Sequence, residues 1–342
     1  MELNELKERL KSGRVGGCYV FAGEEDYLKR FYTRELMKAT EGDEAFAAFN
    51  RLSFDGAEVD FAALTDAVSS PPFMSDYKFI EWKYPSFDKM KAGELDALER
   101  LCELVNGSGY TVLTFFVADG ELDTGTDKRP SKFSKRFGEK IGILRFDKST
   151  DAQLLSWLKK HFDAEGVGVT RETLEALIFR SGHSMQVLNN EVIKLSAYAK
   201  SNGLGKVDAE TVNSVASSTA ESDAFALSNA ILERNKRAAF DALAELKLHR
   251  TEPVVIISMM AKVYSDLVSI SLLLADGLGA KDVEAQLKMN SYKLKKYLSA
   301  AKRFDKGRAA RILEELSRVD VGAKFGGVTG YTAVELFVAK CL

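Results

Sequence analysis

The chain has 342 residues and a mass of 37.8 kDa, more than one compact core normally needs, which predicts two or three domains. Hydrophobic residues make up 46% of the chain and charged residues 29%, a composition that argues against global disorder. A formal net charge of -2 excludes a protein that binds DNA or an anionic membrane over its whole surface, so any nucleic-acid contact must be local.

Sequence features also predict the compartment. The three cysteines lie far apart without paired spacing, as is usual where thiols stay reduced. The N-terminus is charged and has no signal-peptide core. The most apolar stretch, Pro253 to Leu274, contains Lys262 and Asp266, which favours a buried helix over a membrane span. We therefore expect a cytoplasmic protein that does not enter a membrane.

The first part of the chain, residues 1–148, shows short β-rich runs that alternate with helical patterns. Such alternation predicts a parallel sheet covered by helices. The predicted strands are Gly17–Phe21, Lys78–Trp82, Tyr110–Val117 and Ile141–Phe146.

After residue 148 the apolar period becomes helical, with Thr150 as the expected N-cap of the first helix. A second helix is predicted from Thr170 and a third after Gly182, where an apolar stripe recurs every three or four residues. That stripe consists of Met185, Leu188, Val192, Leu195 and Tyr198. We predict a small helical domain over 149–217 and a separate all-α domain over 218–342.

The turn after the first predicted strand argues against nucleotide hydrolysis. Phosphates need a glycine-rich loop with a Lys-Ser/Thr pair, because backbone amides and a lysine must surround them. Here Glu24, Glu25 and Asp26 stand at that place, and no G-x-x-x-x-G-K-[ST] string occurs in the chain. Their negative charge opposes phosphate binding. We expect no cofactor.

Other catalytic signals are weak. Asp119 follows a predicted strand, like a metal-holding acid of an ATPase, although a turn aspartate before Gly120 is the commoner meaning. The histidines, His161, His183 and His249, show no metal-ligand spacing, and there is no nucleophile elbow. We predict no catalytic residue and no metal site.

The segment Ser69–Asp76 is predicted to be a loop because it contains Pro71 and Pro72. The prolines stiffen a turn that carries Phe73 and Met74, so these side chains could enter an apolar pocket of a partner at low entropic cost. The alternative is that they fold inward and cover the sheet edge, the commoner fate of apolar loop residues.

The stretch from Lys288 to Arg311 contains nine basic residues with two tyrosines between them. Such a face could follow a nucleic-acid backbone and stack on a base, although a solvated helix surface is the commoner meaning. The candidate DNA-facing residues are Lys293, Lys296, Tyr297, Lys302 and Arg303.

Three strings, taken in order, resemble the delta subunit family of the bacterial DNA polymerase III clamp loader across essentially the whole chain. They are Tyr19–Leu28 with its acidic turn, Ser181–Leu195 with its glycine turn and Asn-Glu and Lys-Leu pattern, and a C-terminal approach with Leu316, Asp320, Lys324 and Gly330. The resemblance implies an AAA+-type fold: a RecA-like α/β domain without a P-loop, a small helical lid and a C-terminal helical collar.

The resemblance also implies a role. A hydrophobic wedge in the first domain would bind the sliding clamp (beta), and its position falls on Pro72, Phe73 and Met74, where some relatives carry an aliphatic residue in place of the proline. Further implied partners are the tau/gamma motor subunits, delta-prime and, through the assembled complex, primer-template DNA. The subunit itself would have no enzymatic activity. Two alternatives stay open: a nucleotide-binding ATPase with a degenerate loop, and a stand-alone DNA-binding protein.

Overall fold

The computed structural model describes the chain except residues 43–45, 58, 127, 290, 302–305 and 326–328, and only the backbone of residues 291, 306, 308, 309 and 323–325. The chain divides into two compact units, Met1–Ser149 and Thr150–Leu342. The first is α/β and the second is almost entirely helical. The predicted fold class, α/β followed by all-α, is confirmed, whereas the further boundary at residue 217 stays a prediction.

The first unit contains one parallel sheet with helices on both faces. Its strands are β1 (Gly17–Ala22), β2 (Arg51–Asp55), β3 (Lys78–Lys83), β4 (Thr111–Phe116), β5 (Gly125–Thr126), β6 (Arg129–Pro130) and β7 (Ile141–Arg145). Its helices are α1 (Leu3–Ser12), α2 (Asp26–Ala39), α3 (Ala47–Asn50), α4 (Phe61–Ser69), α5 (Ala92–Ser108) and α6 (Lys132–Phe137), with a 3-10 turn at Phe87–Lys89.

The sheet order is β2-β3-β4-β1-β7, and all neighbouring strands in it are parallel. The four predicted strands are confirmed as β1, β3, β4 and β7. Strand β2, at the edge of the sheet beside β3, was missed. The short strands β5 and β6 pair antiparallel as a separate hairpin.

Alternate residues of the sheet supply two cores, because successive side chains of a strand point to opposite faces. On one face Val20 and Trp82 pack with residues of α4 and α5 such as Leu64 and Leu101. On the other face Tyr19 and Phe21 pack with residues of α1 and α2, including Leu6 and Leu36. Burial on both faces explains the continuous apolar character of β1, and all residues of β4 are buried too, including Thr111 and Thr114.

The turn from β1 into α2 depends on Gly23. Its φ is +99°, a backbone conformation that L side chains rarely adopt. A Cβ built there would lie 2.4 Å from the carbonyl oxygen of Phe146. The same carbonyl accepts a hydrogen bond from the backbone N–H of Glu25 at 2.9 Å. The acidic turn is thereby held against the end of β7.

The second unit consists of helices, apart from the two-residue strands β8 (Gly168–Val169) and β9 (Lys206–Val207), which pair in parallel. The helices are α7 (Asp151–Ala164), α8 (Arg171–Ser181), α9 (Met185–Ser201), α10 (Ala209–Val215), α11 (Ala220–Leu232), α12 (Lys236–Leu248), α13 (Pro253–Ala275), α14 (Ala280–Leu287), α15 (Ser291–Ala301), α16 (Lys306–Phe325) and α17 (Gly330–Cys341).

Helix starts in this unit follow the sequence signals. Thr150 caps α7 in a capping box with Gln153, and Thr170 caps α8. Helix α9 follows Gly182 as predicted. In its apolar stripe, Met185 and the three aliphatic residues are buried, but Tyr198 is 40% exposed and does not belong to the core.

Helix α13 supplies much of the core that α11–α17 share. Its buried side chains include Met260, Tyr264 and Leu267, whereas Val254 and Leu272 lie exposed, so the predicted burial holds for one face only. Within the described residues, α13 alone is long and apolar enough to cross a bilayer by length and composition, a test that core helices of soluble proteins also pass.

We predict that Gly23→Ala lowers the free energy of unfolding by at least about 2 kcal/mol, because the new methyl group would meet the Phe146 carbonyl and force a strained φ. Urea denaturation measures this change. Gly93→Ala, on α5 with no atom within 4 Å of the built Cβ, is the control and should leave stability unchanged or slightly raised. Equal effects of the two substitutions would contradict the prediction.

Candidate functional site

The acidic turn after β1 satisfies the N-terminus of α2 with its own carboxylates. The Glu25 side chain is the N-cap and accepts a hydrogen bond from the backbone N–H of Tyr27 at 3.3 Å. Asp26 is the first residue of the helix, and Glu24 forms an ion pair with Lys148 at 3.2 Å. Burial raises the pKa of Glu25. The position that would attract a phosphate is therefore filled by negative charge.

Behind this turn lies a fully buried lysine. The Lys29 ammonium donates a hydrogen bond to the Val117 carbonyl oxygen and pairs with the Asp26 carboxylate, each at 2.8 Å. It also lies 4.9 Å from the centroid of the Phe116 ring. A buried charge must be paired and hydrogen-bonded, and these contacts do both within the chain itself.

Asp119 lies exposed in a turn after β4, next to Gly120 with φ +77°. The prediction of a turn aspartate is confirmed. Among the residues that the structure describes, no group of three or more histidine, cysteine, aspartate or glutamate side chains could hold a metal ion.

The predicted loop is confirmed, and its apolar side chains point outward. Phe73 is 53% exposed and Met74 is 70% exposed, so the alternative in which they fold inward is wrong. Met74 has a positive φ of 52°, which is uncommon for a residue other than glycine. Pro72, which precedes this pair, is half-buried.

Helix α3 supports the loop through contacts that the sequence did not reveal. The Asn50 side chain is buried; its Nδ2 donates to the Phe73 carbonyl at 2.8 Å, and its Oδ1 accepts from the Phe73 N–H at 2.7 Å. The rings of Phe46 and Phe49 lie 5.5 Å and 5.3 Å from the Phe73 ring, centroid to centroid. We call the three rings of Phe46, Phe49 and Phe73, together with the adjacent Met74, the aromatic cluster.

A second buried side chain caps the C-terminus of α4, the helix that leads into the loop. The ammonium of Lys78, on β3, donates to the carbonyl oxygens of Ala67 and Ser70 at the C-terminus of α4. Such a cation satisfies carbonyls that have no partner within the helix. Burial lowers the pKa of Lys78 to about 8.

The structure corrects the prediction for Tyr297. Its side chain is only 3% exposed, and its ring packs 4.7 Å from that of Phe225, so it has no face to offer to a base. Burial raises its pKa. The ammonium of Lys293 lies over the Tyr297 ring at 5.5 Å, and Lys296 is exposed. Lys302 and Arg303 lie outside the described residues.

Comparison with known proteins matches both ends of the chain to one family. Residues 19–139 match the family described as DNA polymerase III, delta subunit, and residues 221–341 match the DNA polymerase III delta subunit, C-terminal domain. DNA polymerase III subunit delta of Bacillus subtilis is 22% identical over 345 residues, which cover 99% of this chain and 96% of that protein.

Solved structures give a corresponding result for the fold. The Bacillus subtilis DNA clamp loader delta protein superposes with a TM-score of 0.59 at 20% identity, over 99% of each chain. A DNA polymerase III gamma subunit-related protein of Thermotoga maritima superposes with a TM-score of 0.38 at 12% identity, over 100% of this chain and 98% of that one. The first superposition shows that the chain has the fold of the delta protein.

We predict that Lys78 gives the chain a pH-dependent stability. Its pKa is about 8 when folded and near 10.5 when unfolded, so between these values the unfolded chain holds more protons and the free energy of unfolding rises with pH. The expected slope reaches at most about 1.4 kcal/mol per pH unit between the two pKa values, is about half of that near pH 8, and disappears well below pH 8. Urea denaturation of the unaltered chain and of Lys78→Met at pH 7.5 and 9.5 isolates the contribution of Lys78 to this pH dependence. Identical slopes in both proteins would refute the assignment.

Proposed function

Because this chain belongs to the DNA polymerase III delta subunit family, we propose that it is the clamp-loader subunit that binds the sliding clamp and helps to open it. The observation that supports this role most directly is the outward display of Phe73 and Met74 on a loop stiffened by Pro72. Apolar side chains held in water favour insertion into a pocket of a partner.

Clamp opening of this kind is a shift between two states of the clamp. A subunit can favour the open ring only by binding it more tightly than the closed ring. The energy comes from burial of the loop's apolar surface, about 25 cal/mol for each Å² removed from water. ATP bound by partner subunits would control when the loop reaches the clamp.

We infer that the subunit does not hydrolyse ATP. Phosphate groups would meet Glu25 and Asp26 at the N-terminus of α2, and Lys29 is already engaged inside the protein. A nucleotide could bind only by displacing these contacts, which would leave a buried charge without its partner. These contacts disfavour the alternative of an ATPase with a degenerate loop.

We assign each predicted domain of the chain a role in the assembled clamp loader. We propose that 1–148 carries the clamp contact, that 149–217 is the lid, and that 218–342 is the collar that joins the tau/gamma and delta-prime subunits in the cytoplasm. Primer-template DNA would be reached through that complex. On α15 the lysines Lys293 and Lys296 remain candidates for a phosphate contact, whereas Tyr297 does not.

We predict that the double substitution Phe73→Ala, Met74→Ala weakens clamp binding by at least about tenfold, because both anchors are lost. Biolayer interferometry against the cognate sliding clamp measures the affinity. Assembly with the motor subunits, followed by gel filtration, should be unchanged. Leu104→Ala, which removes another exposed aliphatic side chain of the same unit, is the matched control. A clamp affinity that equals that of the control would reject the proposed clamp contact.

We also predict that the isolated chain does not bind ATP, since carboxylates occupy the start of α2. Equilibrium titration with a fluorescent ATP analogue, with and without Mg²⁺, tests this directly, and an assembled loader provides the positive control. Tight Mg²⁺-dependent binding to the isolated chain would support the degenerate ATPase instead.

A further inference from the structure

We propose that helix α3 supplies a second half of the clamp-binding surface, with Phe49 as an anchor beside Phe73 and Asn50 as the residue that positions Phe73. This inference rests on the proposed function, because it takes the sliding clamp as the occupant. It assigns contact and positioning roles to residues that lie 23 positions away from the loop in sequence.

The loop and α3 both expose large apolar side chains. Among the described residues of Met1–Ser149, the three most exposed large apolar side chains are Met74 at 70%, Phe49 at 66% and Phe73 at 53%. Two of them belong to the loop and the third to α3. Because exposed apolar side chains on a folded unit are normally scattered singly, their coincidence marks an interaction surface.

The loop and α3 are also in direct contact. The rings of Phe49 and Phe73 meet at a tilted angle of 51°, and Phe46 packs edge-on against Phe73 at 73°. The rings therefore form one surface to which both segments contribute. A partner pocket that accepts Phe73 would also contact Phe49.

Asn50 holds the backbone of the loop in place. Its amide satisfies both backbone groups of Phe73 at once, as a neighbouring strand would, and Nδ2 also donates to the Phe46 carbonyl at 3.3 Å. Only a side chain that both donates and accepts can do this. The Phe73 backbone is thus fixed before binding, which lowers the entropic cost of association.

The shape of the aromatic cluster indicates which partner it fits. Side chains that keep more than half of their surface in water protrude from the protein. Protruding apolar groups fit a concave pocket, whereas a symmetric contact between two copies would need a patch complementary to itself. We therefore assign the cluster to an apolar pocket of the clamp wide enough for two rings and a methionine.

The test compares clamp affinities of full-length variants by biolayer interferometry. Phe49→Ala should weaken binding by about tenfold, and Leu104→Ala should stay within about twofold of the unaltered chain. If Phe49→Ala binds the clamp as tightly as Leu104→Ala does, while the double variant Phe73→Ala, Met74→Ala binds it weakly, the inference fails but the proposed function stands. If all three bind normally, the proposed function itself fails.

The positioning role of Asn50 needs a separate readout. Asn50→Asp keeps the size of the side chain but removes the donor to the Phe73 carbonyl, and should weaken clamp binding by about fivefold. In a chain that already carries Phe73→Ala, Met74→Ala it should have no further effect, because the side chains that the positioned backbone presents to the clamp are then absent. Additive losses in the combined variant would overturn the positioning role.

A contact between copies of the chain is the remaining outcome to separate. Sedimentation velocity should show the same association state for the unaltered chain and for Phe49→Ala. If Phe49→Ala dissolves a self-associated form and leaves clamp affinity unchanged, the cluster is a contact between copies and the inference is overturned.

Discussion

A buried ammonium ties helix α2 to the end of strand β4, and the arrangement of the β1–α2 turn depends on it. Removing a charge from water costs several kcal/mol unless partners compensate. Lys29 therefore requires both the Asp26 carboxylate and the Val117 carbonyl at their observed positions. The acids of the β1–α2 turn serve internal contacts. A parallel sheet of this kind keeps its scaffold while its usual anion site is closed by its own side chains.

The aromatic cluster, like the β1–α2 turn, is held in place by polar side chains of the chain itself. Two buried polar side chains, Asn50 and Lys78, act on backbone groups around the loop: one on Phe73, the other on the carbonyls where α4 ends. Each satisfies groups that would otherwise need water. The loop can then expose Phe73 and Met74, because these polar contacts order its backbone and the two side chains need not be buried to do so.

How far the sequence predicted this structure depends on the range of the interactions. Strands were predictable where apolar residues predominate, as in β1, β4 and the edge strand β7, whereas β2 alternates Leu52 and Phe54 with polar residues at the other edge of the sheet. Tyr297 was misassigned although its helical spacing from Leu294 already favoured the core. The role of Asn50 could not be predicted, because α3 has only four residues and its contact with the loop spans 23 positions.

The contacts that hold the loop bear on how ATP could control clamp binding. Asn50, Lys78 and the rings that pack on Phe73 all belong to the same compact unit as the loop. The aromatic cluster is therefore fully formed in the isolated chain, and the closed anion site gives ATP no direct route to it. If the proposed function is right, an ATP-dependent gain in clamp binding must come from partner subunits that uncover the cluster, because a ligand shifts only an equilibrium whose states it binds differently.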